Sequence, residues 1–362
     1  MERRGRYSYR AKLYFEIRGR RVRSRRLLTI ANAFAACGES SDKPQIEDDL
    51  TMTFPMKPLA WLALLCCSSA VCVAQTSPEP AAAAGGDWAE LASFHYGIGA
   101  DIPYGTFGNT TDHLDVWENH AAKGPVPTLI YIHGGGWVFG DKGGSPNSFL
   151  PYIERGWDVV NVEYRMASSA SAPGAVEDAR CALRWVYNNA AHYHFDLNRI
   201  VVSGHSAGGH LALMTGMLTE AAGLDDACPV EAGTPPMKVA AIVNWFGITD
   251  VDALLSGPDR KTYAVAWLSS ATDKHAVARQ SSPLTYVHAG QPPVITIQGD
   301  HDSVVPYAQA KALKAALDRA GVRNELVTVP GGDHGNYSDA ETLRAFREVW
   351  KFLDAVLPAP PK

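Results

Sequence analysis

Ser206 lies in the stretch GHSAG, with one glycine two positions before it and another two positions after it. The residues that precede it are apolar and β-branched and those that follow it favour a helix, so the serine falls where a strand turns into a helix. Glycines at both flanking positions permit a turn that is too tight for side chains. Such a turn exposes the serine hydroxyl beside the backbone N–H of Ala207, which can stabilise an oxyanion. The pattern predicts a nucleophilic serine. Because this pattern is also common by chance, the prediction depends on whether the sequence contains the other residues that such a serine needs.

Two later segments contain the partners that a nucleophilic serine needs. Asp300 and Asp302 directly follow the apolar run PVITIQG, and His334 lies in the glycine-rich turn PGGDHG after the last predicted strand. A histidine removes the serine proton, and a carboxylate holds that histidine in the required tautomer. The ends of parallel strands are where α/β proteins place such groups. The residues themselves leave the choice between the two aspartates open.

A third glycine-rich segment, HGGGW, occupies residues 133–137 after the apolar run PTLIYI. Its glycines let the backbone approach a bound group, so that their amides face the same oxygen as the Ala207 N–H. His133 precedes the loop, and we interpret it as a structural residue that holds the loop rather than as a base. A plain flexible loop is the alternative, and the position after the third predicted strand disfavours it.

The predicted fold is of the α/β class. Long helical patterns at 173–193, 308–321 and 341–357 alternate with apolar runs, and the middle runs are almost wholly apolar, as in parallel strands covered on both faces. We therefore predict one doubly wound domain, with a mostly parallel eight-stranded sheet and helices on both faces. The predicted strands are 91–97, 113–118, 127–133, 158–165, 199–204, 238–246, 293–299 and 325–331.

The N-terminal region predicts export. Residues 56–74 begin with a methionine and a lysine, continue with a Leu/Ala-rich run and end in small residues, which is typical of a signal peptide cleaved after Ala74. A signal peptide is read at the N-terminus, so residues 1–55 are interpreted as an upstream extension from a mis-assigned start. A nucleic-acid-binding basic arm and an organelle presequence are the alternatives for this basic segment. Residues 75–89 are predicted to be a flexible linker and residues 90–358 the catalytic domain.

Net charge limits the classes of binding partner that we expect, and the cysteines bear on the cellular compartment. Without residues 1–74, the chain has 20 basic and 31 acidic groups, a net charge of −11. Such a surface repels phosphate backbones and anionic lipid, which disfavours nucleic acid and stable membrane insertion after signal cleavage. Cys181 and Cys228 remain in the exported part. They either form a disulfide or are two buried free thiols, and the sequence does not decide between these alternatives. The expected location is secreted or periplasmic.

The chain resembles the bacterial esterases of the α/β-hydrolase superfamily, in the hormone-sensitive-lipase-like and feruloyl- or xylan-acetyl-esterase-like branches. The matching segments are HGGGW, EYRMA, GHSAGGHLA, SPLTYV, GDHDSVVPYAQ and PGGDHG. The resemblance covers about residues 90–357 and implies hydrolysis of carboxylic esters through an acyl-enzyme, without metal or cofactor. The segment YRMASSASAPGA departs from the hormone-sensitive-lipase pattern, and the linker is short, so no large cap domain is expected.

The resemblance also assigns roles. The family spacing G-x-x-D-x-x-V-P selects Asp302 as the acid that orients His334, leaving Asp300 to fix the turn. Asp333 is disfavoured because a neighbour of the histidine usually projects away from its ring. The oxyanion hole is assigned to the amides of Gly135, Gly136 and Ala207.

The leading function is therefore a serine carboxylesterase acting on short-chain, acetyl or aryl esters, either small molecules or polysaccharide-linked. An amidase or peptidase on the same fold and a non-catalytic binding protein are the alternatives. Trp137, Phe139 and Trp245 lie just beyond or at predicted strand ends and are candidates for the substrate pocket.

Overall fold

A computed structural model describes residues 87–228 and 230–359, which form an eight-stranded sheet. The strand order is β1-β2-β4-β3-β5-β6-β7-β8, with β1 antiparallel to β2, β2 antiparallel to β4, and the other neighbours parallel. This confirms the predicted mostly parallel sheet. The strands are β1 (Tyr96–Phe107), β2 (Thr110–Asn119), β3 (Val126–Ile132), β4 (Asp158–Val162), β5 (Phe195–His205), β6 (Ala241–Trp245), β7 (Val294–Gly299) and β8 (Asn324–Val329).

Helices cover both faces of the sheet, as predicted. Because strand side chains alternate between faces, Ile130 and Val202 pack under α3, α4 and α7, whereas Leu129 and Val201 belong to the core under α2 and α8. The α-helices are α1 (Trp88–His95), α2 (Pro146–Glu154), α3 (Gly174–Tyr193), α4 (Ala207–Met217), α5 (Thr262–Trp267), α6 (Lys274–Gln280), α7 (Tyr307–Arg319) and α8 (Asp339–Val356).

The first predicted strand is wrong. Residues 91–95 belong to α1, and β1 begins only at Tyr96. None of the α1 residues is buried, so the helix has no apolar face that a periodic pattern in the sequence would indicate. The β1 sequence, YGIGADIPYGTF, contains three glycines and a proline and does not alternate between apolar and polar residues. It forms a strand because β2 pairs with it. Such pairing depends on tertiary contacts, which the propensities of the residues in β1 do not predict.

Between β6 and β7 the structure has only short helices, α5 and α6, beside single 3-10 turns, so the described part of the chain has no large cap domain. Among its helices, none is both long and apolar enough to cross a membrane. The predicted upstream segment (1–55), signal peptide (56–74) and most of the linker (75–89) lie outside the described residues and stay predictions.

The two cysteines that the sequence left undecided form a disulfide. Cys181 in α3 bonds to Cys228, 47 residues further along the chain. The bond links the helix to the loop that follows α4. Arg180 supports the same loop through an ion pair with Asp225.

Candidate active site

Ser206 occupies the turn between β5 and α4 in a backbone conformation that L-residues rarely adopt, with φ 57° and ψ −118°. A Cβ atom at Gly204 would lie 2.3 Å from the carbonyl oxygen of Ile132, and one at Gly208 would lie 2.0 Å from the same oxygen. The end of β3 therefore excludes any side chain at both glycine positions. The Ser206 N–H donates to the carbonyl oxygen of Trp245 (2.9 Å), which holds the turn in place.

The structure brings Ser206, His334 and Asp302 together, although 128 residues separate the first two. His334 Nε2 lies 2.9 Å from Ser206 Oγ. On the other side of the ring, Nδ1 lies 2.9 Å from Asp302 Oδ2 and 3.1 Å from Oδ1. This geometry lets the imidazole accept the serine proton at Nε2 while Nδ1–H donates to the carboxylate.

Asp302 is buried and held by several donors. Its Oδ1 accepts the backbone N–H groups of Val304 (2.9 Å) and Val305 (2.8 Å), and its Oδ2 accepts from Gln298 Nε2 (3.2 Å). Gln298 also donates to the carbonyl of Val305 (2.8 Å) and is itself fully buried in β7. These bonds fix the carboxylate before any substrate binds.

The two other candidate acids bind loops instead of the His334 ring. Asp300 Oδ1 accepts from His301 Nδ1 (2.6 Å) and from the Gly331 N–H (2.7 Å), and these bonds, the His301 bond above all, lower its pKa. Asp333 Oδ1 accepts from the backbone N–H and the hydroxyl of Ser303, both at 2.8 Å, and the backbone bond is the largest cause of its lowered pKa. Asp300 thus fixes the turn, in line with the prediction from its position.

The HGGGW loop passes beside the serine. A Cβ at Gly134 would lie 3.5 Å from Ser206 Cβ, and one at Gly135 would lie only 1.7 Å from the carbonyl oxygen of Phe139. Gly135 and Gly136 have φ values of 122° and 59°, which favour glycine. Ala207 is the first residue of α4, so its N–H has no acceptor within the helix. Gly134 thus lies at the serine, and Gly135 and Gly136 follow it on a loop whose backbone requires glycine. The assignment of the oxyanion hole to Gly135, Gly136 and Ala207 stays a prediction.

Comparison with known proteins agrees with this geometry. The BD-FAE family model matches residues 114–317, more than half of the chain. The chain belongs to the BD-FAE family. Esterase LipQ of Mycobacterium tuberculosis is 28% identical over 255 residues, 68% of this chain and 59% of LipQ. Esterase LipC of the same organism is 31% identical over 232 residues, 61% of this chain and 56% of LipC. The chain thus spans under three fifths of the length of these relatives.

Solved structures of esterases share the fold. A truncated carbohydrate esterase from gut microbiota matches with a TM-score of 0.63 and 25% identity, over 72% of this chain and 96% of that one. Esterase 2 of Thermogutta terrifontis, phosphoramylated by tabun, matches with a TM-score of 0.61 and 26% identity, over 74% and 97%. The predicted resemblance to α/β-hydrolase esterases is confirmed.

In this BD-FAE member, Glu163 holds both ends of the glycine loop. Its Oε1 lies 3.3 Å from His133 Nε2, and its Oε2 accepts the N–H of Lys142 at 2.8 Å. Tyr164 stacks on the His133 ring with centroids 4.3 Å apart, and the ring Nδ1 lies 2.8 Å from the Gly134 carbonyl. His133 is thus built into the support of the loop, as we interpreted it from the sequence.

The structure corrects two of the three predicted pocket residues. Trp137 is 0% exposed and stacks on Trp267, and Trp245 is 4% exposed and packs against Phe346 of α8. Both rings lie in the core, Trp137 in the cluster that includes α3 and α4 and Trp245 in the cluster that includes α2 and α8. Phe139 is 69% exposed beside Gly135 and can still contact a substrate.

Sequence reasoning missed two neutral histidines near the site. His205, the residue before the serine, has Nδ1 2.6 Å from the Tyr131 hydroxyl, and its pKa is lowered to about 4 by burial and then by His334. His210 in α4 accepts from Trp137 Nε1 at Nδ1 (3.2 Å) and donates from Nε2 to the Ser281 carbonyl (2.6 Å). Burial lowers its pKa to about 4 as well. The GHSAGGH motif contains both residues, but nothing in the motif specifies their partners.

A metal site near the serine would need several metal-ligating side chains that converge on one point. Among residues 87–228 and 230–359, no three His, Cys, Asp or Glu side chains are arranged to hold a metal ion. The arrangement suits acyl transfer, in which a serine, a general base and an oxyanion hole act together.

Proposed function

We propose that this chain is a serine hydrolase that cleaves carboxylic esters through an acyl-enzyme intermediate. The observation that carries the proposal is the 2.9 Å approach of His334 Nε2 to Ser206 Oγ, with Asp302 on the opposite ring nitrogen. The names of its relatives support it, since LipQ and LipC are both called esterases. The Thermogutta esterase 2, phosphoramylated in its solved structure, supports it further.

The proposed reaction has two halves. As Ser206 Oγ attacks the ester carbon, its proton passes to His334 Nε2, and the carbonyl electron pair moves onto the oxygen. The amides of Gly135, Gly136 and Ala207 stabilise that oxyanion. His334 then gives the proton to the departing alkoxide oxygen, the carbon–oxygen bond breaks, and the acyl group stays on Ser206. Water repeats the sequence on the acyl-serine and releases the carboxylic acid.

Asp302 stabilises the imidazolium that forms in each half. It accepts hydrogen bonds from Nδ1 and from three further donors. Its role is to hold the tautomer with the proton on Nδ1, so that Nε2 is free to accept from the serine. Because these donors are already in place, the reaction requires little reorganisation of the site.

For the substrate, we propose short-chain, acetyl or aryl esters. The short helix α5 lies beside the glycine loop, where Tyr263 would meet a Cβ at Gly136 at 3.0 Å. Lipases that act on long chains need a mobile apolar lid, and the α-helices between β6 and β7, α5 and α6, have six and seven residues. Acetyl, butyryl, octanoyl and feruloyl esters and an anilide, assayed with the full chain and its Ser206→Ala variant, test the proposal. Activity that rises sharply with octanoyl esters contradicts the chain-length preference, and a preference for the anilide favours the amidase alternative.

We also propose export, to the periplasm or the medium. The signal-like pattern ending at Ala74 supports it, and so does the Cys181–Cys228 disulfide, since such bonds persist in oxidising compartments. Intact mass of the protein recovered outside the cytoplasm should correspond to a chain starting at Gln75. Recovery of a chain that retains residues 1–51 contradicts both the signal peptide and the late start.

A further inference from the structure

Phe246, the first residue after β6, packs against the histidine of the site. We propose that Phe246 is a positioning residue, whose ring holds the His334 imidazole in place between Ser206 and Asp302. The centroids of the Phe246 and His334 rings lie 4.6 Å apart, and their planes meet at 64°. The inference rests on the proposed esterase function and adds a residue on which the proton transfers would depend.

The backbone of Phe246 has a conformation that its surroundings enforce. Its φ is 41°, in the region that L-residues rarely adopt. Its N–H donates to the carbonyl oxygen of Ile297 in β7 (2.8 Å). Directly after it, the Gly247 N–H donates to Oδ1 of the buried Asn244 (2.9 Å). Residues in such strained conformations persist only where neighbouring groups hold them, and they are concentrated at functional sites.

Aromatic rings from the middle of the sheet support Phe246. The His205 ring lies parallel to it, with 8° between the planes and 5.3 Å between the centroids. His205 Nδ1 lies 2.6 Å from the hydroxyl of Tyr131, a buried residue of β3. Phe246 itself is only 7% exposed. The ring that contacts His334 is therefore fixed to the central strands.

Phe246 also contacts the main chain that carries the histidine. A Cβ atom at Gly335 would lie 2.8 Å from Phe246 Cζ, and the φ of Gly335 is 71°. The residue after His334 therefore has to be a glycine for the loop to pass this close to the phenyl ring. Phe246 thus limits the position of both the imidazole and the backbone that follows it.

These contacts oppose a displacement that would weaken the hydrogen bonds of His334. Its two ring nitrogens face Ser206 Oγ and Asp302 Oδ2, each at 2.9 Å, so Phe246 packs on the carbon part of the imidazole. Hydrogen bonds weaken as they bend, and a shift of the ring would bend both of them. Misplacing a catalytic group by about 1 Å can lower the rate about 10²-fold.

The substitution Phe246→Leu tests the inference in the full chain, because it removes the ring and keeps an apolar side chain. The measured quantity is kcat/KM, which reports acylation, for ethyl acetate and for nitrophenyl acetate. Ethoxide needs a proton from His334 in order to leave, whereas nitrophenolate is a stable anion that leaves without one. We expect kcat/KM to fall about 10²-fold for ethyl acetate and several times less for nitrophenyl acetate. A smaller fraction of folded protein would lower both values equally, so the ratio of the two isolates the histidine.

Phe352→Leu is the matched control. Phe352 is a fully buried residue of α8 in the same core cluster as Phe246. Its substitution should lower Tm but leave the ratio of the two kcat/KM values unchanged. Phe246→Met replaces Phe246→Leu if that variant does not fold, and it should change the ratio in the same direction, since methionine fills space without a fixed shape.

The outcomes separate the positioning role from the esterase function. An unchanged ratio in a folded Phe246 variant overturns the inference, and so does an equal change of the ratio in Phe352→Leu. In either case the wild type still cleaves both esters, and the proposed function stands. A wild type that cleaves neither ester overturns the esterase function itself, and the positioning role falls with it.

Discussion

The substitution Asp302→Asn tests how the site orients its base. The aspartate accepts Nδ1–H of His334, the N–H groups of Val304 and Val305, and Gln298 Nε2. In the variant, the amide oxygen can keep the two backbone donors, which leaves the NH2 group facing His334. The ring then accepts at Nδ1 and carries its proton on Nε2, the atom that must accept from Ser206.

The expected loss in kcat is about 10⁴-fold, or about 5.4 kcal/mol of barrier at 1.36 kcal/mol per tenfold. Stability should change far less, because the backbone bonds survive and only the Gln298 contact becomes unfavourable. A penalty of about 1 kcal/mol lowers Tm by about 2–4 °C in a domain of this size.

The assay is kcat for nitrophenyl acetate together with thermal unfolding, and Asp300→Asn is the matched control. The control keeps an oxygen for the Gly331 N–H and does not contact the His334 ring, so its kcat should stay near that of the wild type. If Asp302→Asn remains within about tenfold of the wild type, about 1.4 kcal/mol of barrier, the tautomer argument is refuted. Loss of activity in the control at an unchanged Tm would instead transfer the role to Asp300.

Three other outcomes follow from the geometry. Gly135→Ala should lower kcat about 10²–10³-fold, because the new Cβ would lie 1.7 Å from the Phe139 carbonyl oxygen and displace the loop; steady-state kinetics within threefold of wild type would refute this. His210→Leu should be less stable than the wild type at neutral pH. The gap between their free energies of unfolding should narrow by up to about 3 kcal/mol between pH 6.5 and 4, because only the wild type has a buried histidine with a pKa lowered to about 4. Urea unfolding across that range measures the gap, and a constant gap contradicts the assignment. Replacing Cys181 and Cys228 together by alanine should cost about 4 kcal/mol in urea unfolding, as expected for a separation of 47 residues; a loss below 1 kcal/mol would contradict it.

The sign of the His210 effect follows from proton binding. Its pKa is about 4 in the fold and about 6.5 in the unfolded chain, so between these values the unfolded chain binds more protons. Wild-type stability from this group is therefore complete above pH 6.5 and is lost as the pH falls toward 4. The leucine variant lacks the group and loses nothing from it on acidification.

The site was predictable because its parts lie in local patterns. Ser206 needs glycines on both sides because the end of β3 excludes side chains at those positions. The two glycines of GHSAG are therefore visible in the sequence as a sign of this turn. Asp302 follows β7 and His334 follows β8, and these neighbouring parallel strands end at the same edge of the sheet. Choosing Asp302 over Asp300 required the family spacing, since both follow the same strand.

Other features depend on contacts that no local pattern contains. Strand β1 forms because β2 pairs with it. Its glycines and proline interrupt the alternation of apolar and polar residues that would have indicated a strand. Trp245 was misplaced because its position at a strand end does not reveal which face its ring occupies. The hydrogen bond from Gln298 to Asp302 was missed for a similar reason, although a glutamine in a mostly apolar strand is a signal.

The central claim is that Ser206 is an activated nucleophile, and covalent labelling measures this most directly. The full chain is treated with a serine-directed fluorophosphonate, and the adduct is located by intact mass and peptide mapping, with Ser206→Ala as the control. The account predicts one adduct per chain on Ser206, loss of ester hydrolysis in proportion to labelling, and no adduct in the control. An unlabelled Ser206 in folded protein, or an equal adduct in Ser206→Ala, would contradict it.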